Sequence, residues 1–76
     1  MSEDVFERVR EAISITFGVP AEAIRAETRQ EDLDGWDSVG HLNLMLMIED
    51  TFGVQLDVPD MEKLTSVPAL VAFLSA

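Results

Sequence analysis

Three residues near the middle of the chain carry side chains that nucleophilic or acid–base chemistry uses. Asp37 and Ser38 are adjacent, and His41, the one histidine, follows three positions after the serine. On a helix, Ser38 and His41 would lie on adjacent turns. No cysteine, second histidine or evident third group accompanies them to orient the imidazole, so we expect no enzyme activity. We interpret His41 as a half-buried helix residue.

Acidic residues gather just before the serine, at Glu31, Asp32, Asp34 and Asp37. An EF-hand calcium loop starting at Asp32 would have Asp34 at its third position. The pattern then fails, because Trp36 occupies a ligand position, Asp37 the glycine position and Asn43 the position of the bidentate glutamate. We therefore expect no metal site.

The chain of 76 residues has 15 acidic and 5 basic side chains, a formal net charge of −10 and a hydrophobic content of 47%. This length predicts one domain, residues 1–76, with a small core. The negative charge excludes nucleic acid as the expected partner and favours basic protein surfaces, toward which it would steer the encounter. Because there is no cysteine, any thiol chemistry must come from an added group.

No stretch resembles a signal peptide, and no run approaches the roughly 18 apolar residues that a membrane span requires. We therefore expect a soluble, cytoplasmic monomer without a membrane span.

The apolar pattern predicts helices and no strands. The first helix is predicted over Asp4 to Phe17, with Gly18 as its stop, and the second over Ser38 to Phe52, capped by Asp37 and ended by Gly53. The long connection between them is predicted to hold one turn, Ala21 to Ile24, with Ile24 pointing inward and Trp36 closing the core.

A short extended connection, Val54 to Pro59, is predicted to follow the second helix. Asp60 then caps a brief turn through Met61 and Leu64, and Thr65-Ser66 caps a last helix from Val67 to Leu74. The prediction is an all-α fold, a small four-helix bundle of three main helices and one short one.

The second helix has more apolar residues than one face can hold. At about 100° per residue, one arc is predicted to face the core, namely His41, Leu44, Met45, Ile48 and Phe52, with Leu42 at its edge. The surplus arc is predicted to face a partner, and it consists of Val39, Leu46 and Met47 interleaved with Asn43 and Asp50.

Short motifs stand at the ends of the predicted helices. Asp37-Ser38-Val39 starts the second helix, and Glu49, Asp50 and Phe52-Gly53-Val54 end it. Further motifs are Phe17-Gly18-Val19, Asp60 to Leu64 and Thr65-Ser66-Val67. With these motifs the whole frame resembles the acyl carrier protein family, the phosphopantetheine-bearing carriers. The family's hallmark is Asp-Ser-Leu or a close variant at the start of the second helix, then an apolar helix with an acidic-Phe-Gly-type ending.

The resemblance implies a covalent 4'-phosphopantetheine on Ser38, added from coenzyme A by a phosphopantetheinyl transferase, with Asp37 beside the transferase's Mg²⁺. Acyl groups would then travel as thioesters between acyl-loading, condensing or transferring enzymes with basic docking surfaces. The resemblance also implies a core that opens for an acyl chain, to which the adaptable side chains of Met45, Met47 and Met61 are suited.

The sequence departs from carriers of fatty acid synthesis at Gly40 and Asn43, where those carriers usually have acidic residues, and at Trp36, where a small residue is usual. We interpret Gly40 and Asn43 as positions that decide the choice of partner. The departures favour a specialised pathway, such as polyketide synthesis, over fatty acid synthesis. Two alternatives stay open: an aminoacyl or peptidyl carrier, and an unmodified acidic helical adaptor.

Overall fold

A computed structural model describes residues 2–75, and within them lie four α-helices and no β-strand. They are α1 (Ser2–Phe17), α2 (Ser38–Phe52), α3 (Val58–Lys63) and α4 (Val67–Ser75). Two short 3₁₀ turns, Ala21–Ala23 and Gln30–Asp32, lie in the connection between α1 and α2. The predicted all-α bundle of three main helices and one short helix is confirmed. None of these helices combines the length and the apolar character that crossing a membrane requires.

The helix ends follow local sequence signals. Gly18 and Gly53 both have left-handed backbone, with φ of 66° and 65°, which glycine adopts without strain. The N–H of Gly18 donates to the carbonyl of Ser14 at 2.9 Å, and that of Gly53 donates to the carbonyl of Glu49. At the start of α4, the Ser66 hydroxyl accepts from the N–H of Ala69 at 3.1 Å. The ends of α1 and α2 and the start of α4 are therefore as predicted. The first helix begins at Ser2, two residues before the predicted Asp4, and α4 ends at Ser75, one residue after the predicted Leu74.

The third helix begins earlier than predicted. It starts at Val58, with Asp57 as its extended N-cap, whereas the sequence had suggested a turn capped by Asp60. Asp60 is instead the third residue of the helix, and its carboxylate accepts a hydrogen bond from the N–H of Asp57 at 3.3 Å. Pro59 had indicated an extended connection, but proline is tolerated in the first helical turn, where its missing N–H would have no helical partner.

The core lies where α1, α2 and α4 meet, and the long connection contributes to it. Its buried members are Val9, Ala12, Ile13, Ile24, Trp36, Leu44, Met45, Ile48, Leu56, Leu64, Val67 and Leu70. Ile24 is completely buried and Trp36 is 2% exposed, so the predicted inward position of Ile24 and the role of Trp36 in closing the core are confirmed.

Two backbone hydrogen bonds attach the long connection to the start of α4. The N–H of Gln30 donates to the carbonyl of Thr65 at 2.9 Å, and the N–H of Val67 donates to the carbonyl of Thr28 at 2.8 Å. The buried Thr28 hydroxyl accepts from the N–H of Arg25 at 2.7 Å. These bonds hold the connection in place as it approaches α2.

Candidate functional site

Ser38 is the first residue of α2 and is exposed to solvent. Asp37 caps the helix from an extended conformation, and its Oδ1 accepts a hydrogen bond from the N–H of Gly40 at 2.8 Å. The carbonyl of Asp37 also accepts from the N–H of His41 at 2.7 Å. The first turn is therefore fixed by its cap, and Ser38 lies at the end of a 15-residue helix where the dipole favours negative charge.

The connection before Ser38 lies directly against α2 at Gly40. A Cβ atom added to Gly40 would be 2.1 Å from the carbonyl oxygen of Gly35 and 2.8 Å from Cε1 of Phe17. Only glycine permits this approach. We had interpreted Gly40 as a partner-facing position, but the structure places it half-buried against Gly35 and Phe17, so a packing requirement accounts for the glycine.

Trp36 and His41 form a hydrogen-bonded bridge from the connection to α3. The indole N–H of Trp36 donates to Nδ1 of His41 at 2.8 Å, and Nε2 of His41 lies 2.6 Å from the carbonyl oxygen of Met61. Since the indole can only donate, Nδ1 must accept, which assigns the imidazole proton to Nε2 and makes that nitrogen the donor to Met61. Both nitrogens are thus occupied, so this imidazole does not serve Ser38 as a base.

Three stacked rings accompany this bridge. The ring centroids of Phe17 and Trp36 are 5.8 Å apart, and those of Trp36 and His41 are 6.1 Å apart, with interplanar angles of 29° and 20°. We call Phe17, Trp36 and His41 the ring stack. It joins α1, the connection and the first turn of α2, and therefore fixes the segment that carries Asp37 and Ser38.

The inner face of α2 is defined as His41, Leu44, Met45, Ile48 and Phe52. Leu44, Met45 and Ile48 are completely buried, while His41 and Phe52 are half-buried. This is the arc predicted to face the core.

The outer face of α2 is defined as Val39, Leu42, Asn43, Leu46 and Asp50, all of them exposed. Val39 is 70% exposed, and Leu42 and Leu46 are each 53% exposed. Leu42 had been placed at the edge of the core arc, and its exposure adds it to this face. Leu42 precedes Leu46 by four residues, a spacing that places both side chains on one face of a helix and could have predicted this position.

Met47 differs from the prediction. It is half-buried and packs against the core, and does not lie exposed on the outer face. Val58, the first residue of α3, is 67% exposed and was not predicted to belong to any functional surface. Its isolated position before Pro59 gave no periodic signal.

Comparisons with known proteins agree with this architecture. The family model described as "Phosphopantetheine attachment site" matches residues 7–74, a stretch that includes Asp37 and Ser38. The chain is 32% identical to the acyl carrier protein of Thermotoga maritima over 72 residues, which cover 95% of this chain and 89% of the relative.

Two further relatives carry the same name. The acyl carrier protein of Lactobacillus johnsonii is 32% identical over 75 residues, covering 97% of this chain and 92% of the relative. That of Streptococcus thermophilus is 37% identical over 70 residues, which cover 92% of this chain and 90% of the relative. This chain therefore belongs to the phosphopantetheine-bearing acyl carrier protein family, whose members are carriers and not catalysts.

Proposed function

We propose that Ser38 is the residue to which phosphopantetheine is attached, and that the chain carries acyl groups as thioesters on this arm. The observation that supports the proposal most directly is the position of Ser38, an exposed hydroxyl at the first residue of a helix whose cap is supplied by its neighbour Asp37. Because Asp37 supplies the cap, the exposed Ser38 hydroxyl is not used to cap the helix and is available for modification.

The chemistry of this helix end fits the group. A phosphodiester adds one negative charge, and the N-terminus of a helix favours anions. Phosphopantetheine supplies a terminal thiol for thioester formation, and this chain has no cysteine of its own. The residues that would hold the arm are Ser38 through its oxygen and the first turn of α2 through its dipole.

The attachment reaction is a group transfer from coenzyme A. The Ser38 oxygen forms a bond to the β-phosphorus, the phosphoanhydride bond breaks, adenosine 3',5'-bisphosphate leaves, and the hydroxyl proton passes to a base of the transferase. Asp37 is exposed, and a carboxylate that accepts one hydrogen bond retains acceptor capacity. We propose that Asp37 helps to hold the Mg²⁺ that the transferase brings, because Mg²⁺ is bound through carboxylates and phosphates together.

We propose the outer face of α2 as the docking surface for partner enzymes. Exposed Val39, Leu42 and Leu46 supply apolar contacts, and Asn43 and Asp50 supply a polar rim. With a net charge of −10, the chain is complementary to basic docking surfaces on acyl-loading, condensing or transferring enzymes.

The first turn of α2 contains no acidic residue, which favours a specialised acyl carrier, for example in polyketide synthesis, over one of fatty acid synthesis. An aminoacyl or peptidyl carrier is the second candidate within the family. The cytoplasmic location, the monomeric state and the single domain stay predictions.

The attachment proposal is tested by incubating the protein with coenzyme A, Mg²⁺ and a promiscuous phosphopantetheinyl transferase, followed by intact-mass spectrometry. We expect the mass of one phosphopantetheine to be added to the wild type and to a Ser75→Ala control, which removes another exposed helical serine. Ser38→Ala should gain nothing while keeping the helical circular dichroism of the wild type. No gain in the wild type, or a gain that survives Ser38→Ala, contradicts the proposal, and the first result would favour the unmodified acidic adaptor.

A further inference from the structure

The first turn of α2 is packed tightly on two sides. On one side, the Gly35 carbonyl and the Phe17 ring lie so close to Gly40 that a single methyl group would overlap them. On the other side, Trp36 is 2% exposed and donates to His41, which is itself bonded to the Met61 carbonyl of α3. The turn that begins with Ser38 therefore contacts both the connection and α3. We call the ring stack and the bond from His41 to Met61 the seal.

The bond between His41 and Met61 ties α2 to α3 where the two helices could otherwise separate. The carbonyl of Met61 lies in the last turn of a six-residue helix, where carbonyl groups have no partner within the helix. His41 supplies that partner across the gap at 2.6 Å. Opening this gap would break the bond between His41 and the Met61 carbonyl, and displacing Trp36 would break the bond from its indole to His41. Either loss is unfavourable for the folded state.

The core lies behind these contacts, and the inner face of α2 packs into it. Leu44, Met45 and Ile48 are completely buried. The structure does show a cleft of about 400 Å³, but it lies beside α1 and is lined by residues such as Arg10, Ser14, Ile15 and Ala21. None of its lining residues belongs to α2 or α3. An alkyl chain that starts at Ser38 would thus have to displace Trp36 or separate α2 from α3 to become buried.

We infer that the ring stack and the bond from His41 to Met61 keep the acyl cargo outside the helical core, and that this carrier serves short or polar acyl groups. The inference rests on the proposed attachment at Ser38. It runs against the opening core that the family resemblance implied. A long alkyl chain left in water would be unfavourable in proportion to its exposed apolar area, whereas a short or oxygen-rich acyl group needs no such cover.

The test compares two acyl groups on the same protein. The transferase is supplied with butanoyl-coenzyme A or dodecanoyl-coenzyme A, and mass spectrometry first verifies complete loading of Ser38. Failure to load would speak against the attachment proposal, separately from the present one. On the loaded proteins, the indole N–H resonance of Trp36 is then followed by NMR together with the methyl resonances of Leu44 and Ile48. Trp36 is the one tryptophan of the chain, so its indole signal is unambiguous.

We expect these resonances to coincide for the two loaded forms, and their melting temperatures to agree within about 2 °C. The dodecanoyl form should be retained longer on a hydrophobic column, because its chain is exposed. Burial of the additional methylenes would instead raise the melting temperature by about 10 °C or more and shift the indole and methyl resonances. Shifts that grow with chain length, with unchanged column retention, would overturn the inference.

A His41→Ala variant examines the seal itself, since it removes both hydrogen bonds of the bridge. If the seal excludes cargo, dodecanoyl loading of this variant should shift the Leu44 and Ile48 methyl resonances, whereas butanoyl loading should not. A folded His41→Ala protein that still shows no dependence on chain length would contradict the role of the bridge. Should this variant fail to fold, the wild-type comparison alone still decides where the cargo lies.

Discussion

The two faces of α2 are built from similar residues and have opposite environments. The inner face has two aliphatic residues and a methionine that are completely buried, and the outer face has three aliphatic residues that are more than half exposed. Residue type therefore does not distinguish the two faces, and the distinction arises from what packs against each. The inner face contributes to stability through burial, while the exposed apolar area of the outer face contributes little to the fold. We propose that this area contacts a partner.

The largest expected effect comes from the inner face. Leu44→Ala removes a completely buried side chain, and we expect a loss of about 2–5 kcal/mol in the free energy of unfolding and a melting temperature lower by more than about 10 °C. Leu46→Ala is the matched control on the outer face, with the same chemical change two residues away. We expect it to change stability by about 0.5 kcal/mol or less. Urea unfolding measures both, and equal losses would mean that the two faces are not energetically distinct.

Gly40→Ala tests the close approach between the connection and the helix. Helix propensity alone predicts a gain of about 1 kcal/mol from this change. The added Cβ would, however, lie 2.1 Å from the Gly35 carbonyl oxygen, so the connection must shift, and we expect a net loss of about 1–3 kcal/mol. The sign of the change decides between the two effects.

The control for Gly40→Ala is Asn43→Ala on the exposed outer face, where propensity acts alone. It should leave stability unchanged or raise it by about 0.5 kcal/mol. A stabilised Gly40→Ala protein would show that the connection does not press on α2 in solution.

Trp36→Phe tests the bridge with a smaller change, because it keeps a ring in the stack and removes the indole N–H. His41 Nδ1 then loses its donor, and we expect a loss of about 1–2 kcal/mol. A double-mutant cycle with His41→Ala measures the coupling between the two side chains, which includes their hydrogen bond and any change in their stacking, and we expect about 1 kcal/mol from thermal unfolding. Strictly additive losses would indicate that the two side chains do not interact.

Much of this fold could be predicted because its helix ends depend on neighbouring residues. Asp37 caps α2 through the N–H of Gly40, and Gly18 and Gly53 have the left-handed backbone that ends a helix. The predicted start of α3 was wrong because a proline such as Pro59 can end an extended connection or stand in the first turn of a helix. Choosing between these two roles requires knowing that the N–H of Asp57 donates a hydrogen bond to the carboxylate of Asp60.

Other features depended on contacts between distant parts of the chain. The pairing of Gln30 with Thr65 is one backbone hydrogen bond, which leaves no pattern in the sequence. The sequence does not reveal the packing role of Gly40, because its neighbours Gly35 and Phe17 meet it only after folding. The Trp36–His41 bond had one available signal, since a buried indole N–H needs an acceptor and His41 is five residues away.

The smallest effect on stability, and the sharpest test of the outer face, is expected from the double variant Leu42→Ser/Leu46→Ser. Both side chains are more than half exposed, so the free energy of unfolding should change by about 0.5 kcal/mol or less. If this face docks partners, loss of two apolar contacts should lower kcat/KM for modification by the phosphopantetheinyl transferase by roughly tenfold. Ile15→Ser is the control, because Ile15 is 63% exposed on α1, away from the outer face of α2, and should leave kcat/KM unchanged. An equal loss in the Ile15 variant would show that general apolar exposure, and not this face, governs the encounter. A double variant that unfolds would show that Leu42 and Leu46 contribute to the core, and the distinction between the two faces of α2 would then be lost.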